Sequence, residues 1–190
     1  LTEDQCGFIG DGTSTYAGIR GVTRALTPGV SATLASVAGI KVQTGTGSFS
    51  GAILGDFQGT IGKLPLYAGR SPKWYMHNTF YNNVPAALST AAGGNTSQNN
   101  ANGPSQAMLL GFPVIFSQVL PFTWVANTIF ALYGNLGLAA KFGDRRMTTL
   151  FTDPYSLSAN DQIQIRGTER FDIVGHDVGD GFINDSAVDR

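Results

Sequence analysis

Charge is what this chain has least of. Asp, Glu, Lys and Arg make up 13% of its 190 residues, where an ordinary soluble domain carries roughly 25%. A surface so poor in charge is covered by Gly, Ser, Thr and Asn, or is buried against partners. The formal net charge of -1 argues against a dedicated nucleic-acid binder, whose affinity rests on many Lys and Arg facing phosphates. The adjacent Arg145 and Arg146 are too few to change that. Cysteine is reduced to Cys6, which excludes an intramolecular disulfide framework and a cysteine-based zinc site. No apolar run approaches the roughly 20 residues that span a bilayer, because Gly, Pro, Gln or Asn interrupts each one, so a soluble protein without membrane contact is expected.

Catalytic machinery is equally scarce. The two histidines, His77 and His176, have no partner at helical or hairpin metal spacing, and both read as structural hydrogen-bonding groups. Gly-x-Ser-x-Gly is absent, so no nucleophile elbow is supported. GTGSFSG at 45–51 lacks the Lys-Ser/Thr pair of a phosphate loop, and Ser50 stands where a dinucleotide fingerprint needs its third glycine. That stretch reads as an ordinary loop. Asp177, Asp180, Asp185 and Asp189 offer oxygen ligands of the kind hard cations take, but Gly181 is one position too early for an EF-hand and no terminal Glu follows. A solvated C-terminal segment is the default. No catalytic, cofactor-binding or metal-binding residue is assigned.

What the chain does have is three apolar, strand-like runs in succession: LLGFPVIFSQVLP from 109, TIFALYGNLGLAAKFGDRRMTTLFTD from 128, and DQIQIRGTERFDIVGHDVGD from 161. In the last, Ile163, Ile165, Phe171 and Ile173 share one parity, while Gln162, Gln164, Arg166, Thr168, Arg170 and Asp172 share the other. That is the period of a half-buried strand, and it predicts a long β-ribbon, bent at Gly167, with Phe116, Ile163, Ile165 and Phe171 in the core. Arg145, Arg146, Arg166, Glu169, Arg170 and Asp172 are available for ion pairs along the ribbon, whose use lies in register and partner orientation. Around Val114, Ile115 and Phe116 both parities are apolar, as in a strand covered on both faces, with Pro113 near its start or at an edge.

Upstream, 1–12 reads as the end of a helix with a Gly-rich exit at Gly10 and Gly12, and 39–44 as a short strand. A helix is expected over about 51–63, capped by Ser48 or Ser50, with Ile53, Leu54, Phe57, Ile61 and Leu64 on one face and Pro65 ending it. Residues 73–76 read as a strand. Asn78 is placed to cap a second helix carrying Phe80, Val84, Ala87 and Leu88, which Pro85 should keep short. The stretch 91–106 has almost no apolar bulk and reads as an exposed loop. Helices and antiparallel strands are interspersed without βαβ alternation, so the fold class is α+β.

Six pieces of the chain also carry a resemblance. The Leu-Leu-Gly-aromatic-Pro-Val strand at 109–114, the Tyr-Gly-Asn-Leu turn at 133–136, the Gly-Asp-Arg-Arg element at 143–146, and the Asp-Gln-Ile-x-Ile-Arg strand running into Glu-Arg-Phe-Asp at 161–172 resemble the major capsid protein of tailed bacteriophages with the Hong Kong 97-like fold. In collinear order before them, FIGDGTSTYAGIRGV at 8–22 resembles the Gly-rich turn after that family's spine helix, and KWYMHN at 73–78 its Trp-containing strand leading into a short helix. The resemblance implies that 1–21 ends the spine helix and forms its turn, that 22–141 is the axial domain, and that 142–190 contributes the return strands of the peripheral domain. It implies an N-terminal arm, an extended loop and most of the spine helix before Leu1.

The function so implied is that of a structural, non-enzymatic subunit of an icosahedral shell, without cofactor, found in the virion capsid and in the host cytoplasm during assembly. Its partners would be copies of itself in pentamers and hexamers, with scaffolding, portal and decoration proteins, and packaged DNA touched without sequence-specific contacts. Three other readings stand beside it. An encapsulin-like compartment shares the fold. A secreted β-rich adhesin or carbohydrate-binding module would need a surface aromatic platform, for which Trp74 and Trp124 are the candidates, though both sit in apolar contexts. A hydrolase would have to use the C-terminal carboxylates.

Overall fold

Alternation in the short run Lys73–Met76 sets the main layer of the fold. In the computed structural model, which describes residues 3–10, 12–16, 18–26, 39–45, 47–64, 71–91, 107–126, 128–157 and 160–175, this run is strand β1. Its Trp74 and Met76 are fully buried on one face, while Tyr75 points to the other, as period-two geometry requires. Strands β2 (Met108–Leu109), β3 (Phe112–Phe116) and β4 (Ala131–Gly134) complete a sheet in the order β2-β3-β1-β4. β1 runs parallel to β3 and antiparallel to β4.

Helices cover the Trp74 face. They are α3 (Leu54–Gly62), α4 (Asn78–Asn83) and α5 (Pro85–Ala91), which bring Phe57, Phe80, Tyr81 and Val84 onto Trp74, Met76, Leu109 and Val114. Aromatic edges lock this core: Phe57 meets Trp74 edge-on at 5.8 Å, and Phe49 meets Phe80 at 71° and Phe130 at 84°, the edge-to-face geometry that ring quadrupoles favour. On the Tyr75 face, α1 (Glu3–Ile9) and α2 (Val22–Leu26) bring Phe8, Val22 and Leu26 to Leu120 and Leu132. The exit from α1 folds tightly. The Gly10 N–H donates to the Cys6 carbonyl and the Gly21 N–H to the Gly10 carbonyl, and a Cβ on Gly21 would lie 2.7 Å from the Gly10 nitrogen, so only glycine fits there.

After β4, Asn135 caps a single-turn helix, α6 (Leu136–Ala139), with its side-chain oxygen accepting the Gly137 N–H. The chain then enters β5 (Ala140–Asp153), which pairs antiparallel with β6 (Gln164–Gly175) in a separate two-stranded sheet. The α+β class, the β1 strand, the helix end at 3–9 and the long ribbon stand as expected, while 133–136 is the end of β4 and the capped start of α6 rather than a turn.

Several expectations fail, each for a local reason. The run at 109–114 is not one strand. Leu110 and Gly111 both have positive φ (51° and 84°) and form the two-residue turn of a β2–β3 hairpin, the twist such hairpins need. β3 is not covered on both faces, since Ile115 and Phe116 are exposed; Phe116 rests on Tyr81 at the rim of the core instead. The strand expected at 39–44 joins no ladder among the described residues; its last residue, Thr44, gives both its N–H and its hydroxyl to the Asp56 carboxylate. The helix expected from 51 begins at Leu54, after a separate 3-10 turn at Phe49–Gly51. Ser48 and Ser50 bond each other rather than capping it, and Ile53 is exposed. The next helix is capped by His77, not Asn78, and Pro85 divides it into α4 and α5, leaving Ala87 exposed. Pro65, the stretch 92–106, His176 and the four C-terminal aspartates lie outside the described residues.

Candidate assembly surface

The β5–β6 ribbon has two chemically different faces. Residues directly opposite in an antiparallel ladder share a face, and the pairs Phe142 with Ile173, Leu150 with Gly167, and Thr152 with Ile165 put Phe142, Leu150, Ile165, Phe171 and Ile173 together. Two contacts confirm the grouping: the Phe142 and Phe171 rings stack with centroids 5.8 Å apart, and Leu150 lies across the bare Cα of Gly167. The opposite face carries Lys141, Phe151, Arg166, Arg170, Asp172 and Val174, while Asp144, opposite Phe171, shares the first face. β5 holds two register shifts, between Asp144 and Arg146 and between Arg146 and Thr149. Each adds one residue against β6, so together they restore the parity that keeps Phe142 and Leu150 on one face. The bend expected at Gly167 is replaced by these bulges, which increase local twist.

The parity reading of β6 is therefore right about the face and wrong about its burial. Leu150 is 72% exposed, Ile165 69% and Ile163, just ahead of the strand, 63%, with Phe171 half-buried. Among the described residues, the end of the apolar face nearest α1 is partly covered, with Ile173 half-buried and Phe142 opposite it exposed. There Ile173 reaches to 3.3 Å of where a Cβ on Gly7 would be. A two-stranded ribbon is marginal by itself in water, and an apolar face left open on it marks a contact surface.

Charge around the ribbon is mixed. At its turn, the Asp153 carboxylate accepts from the Ser156 hydroxyl and from the Tyr155 and Ser156 N–H groups. These bonds, with the Arg166 charge adding to them, hold its pKa below the ordinary carboxylate range. Arg166, Glu169, Arg170 and Asp172 are all exposed; the side chains of Arg145 and Arg146 lie outside the described ones. A second exposed apolar group borders β3 and α4, where Phe116 leans on Tyr81 and Phe122 on His77.

Of the two aromatic candidates for a sugar platform, Trp74 is fully buried and Trp124 is half-buried. Among the described residues no cluster of three or more His, Cys, Asp or Glu can hold a metal ion, and no helix is long and apolar enough to cross a membrane. The loop 45–51 closes on itself: the Gly45 N–H donates to the Gly51 carbonyl, and a Cβ on Gly45 would lie 2.6 Å from that oxygen. Gly45 and Gly51 serve this close backbone approach.

The model of the phage capsid family matches residues 1–177. The chain belongs to the phage capsid family. Its architecture is the Hong Kong 97-like capsid fold, and its role is that of a structural, self-assembling subunit of the viral capsid rather than of an enzyme. No curated protein and no solved structure matches the chain. The exposed ribbon was legible as an element, but its function as an open face was not.

Proposed function

We propose that the apolar face of the β5–β6 ribbon is a contact between copies of this chain in the capsid. The observation that carries this reading is the pair Leu150 and Ile165, both large, apolar and mostly exposed on a face whose other end α1 partly covers. Covering such a face releases water from apolar surface, which stabilises by roughly 25 cal/mol per Å², and a shell repeats each modest contact many times until closure makes dissociation cooperative. In this reading 22–141 form the axial domain, and 1–21 with 142–190 belong to the peripheral domain. The copies group into pentamers and hexamers around the DNA genome, and assembly takes place in the host cytoplasm. Scaffolding, portal and decoration proteins are the further partners it brings, and the near-neutral charge suits an inner surface that touches DNA without reading its sequence.

The double substitution Leu150→Asp with Ile165→Asp tests it. Because both side chains are exposed in the subunit, the unfolding free energy should change by no more than ~0.5 kcal/mol, as for other surface changes. Assembly should be lost, since burying two carboxylates against an apolar neighbour is strongly unfavourable. Sedimentation velocity on the complete gene product carrying both changes should show small species only. Particles of unchanged size would refute the ribbon as a contact.

A further inference from the structure

From Trp74 to Ala140, over a third of the chain, there is no Asp, Glu, Lys or Arg; all 12 basic and 13 acidic residues lie outside that span. The span holds β1, β3 and α4, and it leaves aromatic rings outside the core. Phe116 is 44% exposed and Phe122 56%. Both lie against α4 and its cap: Phe116 rests edge-on against Tyr81, and Phe122 rests on His77, each with ring centroids 5.4 Å apart. Val125, three residues beyond, is exposed as well. On α4 itself Asn78 and Asn82 are exposed, with the Asn82 amide donating back to the Asn78 carbonyl and side-chain oxygen. Aromatic side chains beside uncharged amides, with Lys, Glu and Asp excluded, are the composition that distinguishes the core of a protein contact from ordinary surface.

The missing charge also selects the occupant. A partner that docked here through Lys, Arg, Asp or Glu would strip those groups of water and find no counter-charge on the whole span, which is strongly unfavourable. A surface equally free of charge is carried by every copy of this chain, and the chain belongs to a family of self-assembling subunits. We propose that the Phe116, Phe122 and Val125 surface is a second contact between copies, seated on the uncharged 74–140 span of a neighbour. Unlike the ribbon, which has Arg166, Arg170 and Asp172 beside it, this contact forms without charge and does not weaken with salt. The inference rests on the self-assembly of the family and not on the ribbon.

A photoreactive benzoylphenylalanine placed at position 122 of the complete gene product tests it. Irradiated under assembly conditions, the probe should join two copies, seen as a doubled mass on a denaturing gel, and peptide mass spectrometry should locate the new bond within 74–140 of the neighbour. The yield should not fall between about 0.05 M and about 0.5 M salt, a range over which charged contacts become screened. Adding Leu150→Asp with Ile165→Asp should leave this cross-link in the small species, so the contact persists whether or not the ribbon is needed for particles. Val125→Asp, an exposed change that should leave the unfolding midpoint in place, should lower the yield by at least about tenfold, because a carboxylate would be buried against an uncharged neighbour. No cross-link, a cross-link within one chain, to a different protein or to a copy outside 74–140, a yield that falls as salt rises, or an unchanged yield in Val125→Asp would each overturn the proposal.

Discussion

Asp56 shows how one side chain organises a stretch that has no secondary structure of its own. Burial pushes its carboxyl up, but the Thr44 hydroxyl, the Ile53 and Thr44 N–H groups and Lys41 all favour the charged form, and together they hold it below the ordinary carboxylate range. The Lys41 ammonium lies 3.2 Å away, its stem resting over Gly59 of α3, so 41–45 are fastened to the start of the helix. Asp56→Ala should destabilise by about 1–3 kcal/mol at neutral pH, because buried donors lose their acceptor. The folded carboxyl has a lower pKa than the unfolded one, so its contribution is complete above the unfolded value of about 3.9 and fades as pH falls through the folded value. Denaturant titrations at neutral pH and below that value should therefore show wild type and variant converging in acid. Trp74 makes the contrasting apolar case: fully buried beneath Phe57 and Tyr133, it should cost about 3–5 kcal/mol when changed to Ala, read from the shift in unfolding midpoint. The role of Asp56 is not legible in the sequence, since it lies within a helix whose cap was sought among the serines, whereas the burial of Trp74 agrees with the apolar context in which it stands.

At the scale of elements, the sequence was most informative where a single period ran through the segment. Trp74 and Met76 alternate with Lys73 and Tyr75, and the strand is where alternation puts it. Pro85, unable to donate a hydrogen bond, starts a new helix instead of continuing α4, as its chemistry dictates. Signals that depend on partners distant in sequence were not legible. The Leu110-Gly111 turn needs a non-glycine residue at positive φ, an uncommon state held here by the β2–β3 pairing and by the packing of Leu110 on the core. Likewise, residues 39–44 read as a strand, but Lys41 and Thr44 are held by Asp56 from a helix that comes later in the chain. The ribbon is the sharpest instance. Its period identifies which residues share a face, but period alone does not say whether that face meets the protein's own core or another molecule.

At the scale of the molecule, two sheets divide the work. The four-stranded sheet, covered by helices on both faces, supplies the stable core. The ribbon carries a long apolar face that α1 covers only in part, at one end, which is an unfavourable arrangement for an isolated subunit and a suitable one for a shell. The low charge of the chain as a whole fits surfaces that are covered by copies. The account therefore stands or falls on what lies against Leu150 and Ile165 in the assembled state. Cryo-electron microscopy of the complete gene product is the most direct measurement: the account predicts closed icosahedral particles in which that face is covered by neighbouring copies, whereas a product that stays monomeric under all assembly conditions, or a shell in which Leu150 and Ile165 face solvent, would contradict it.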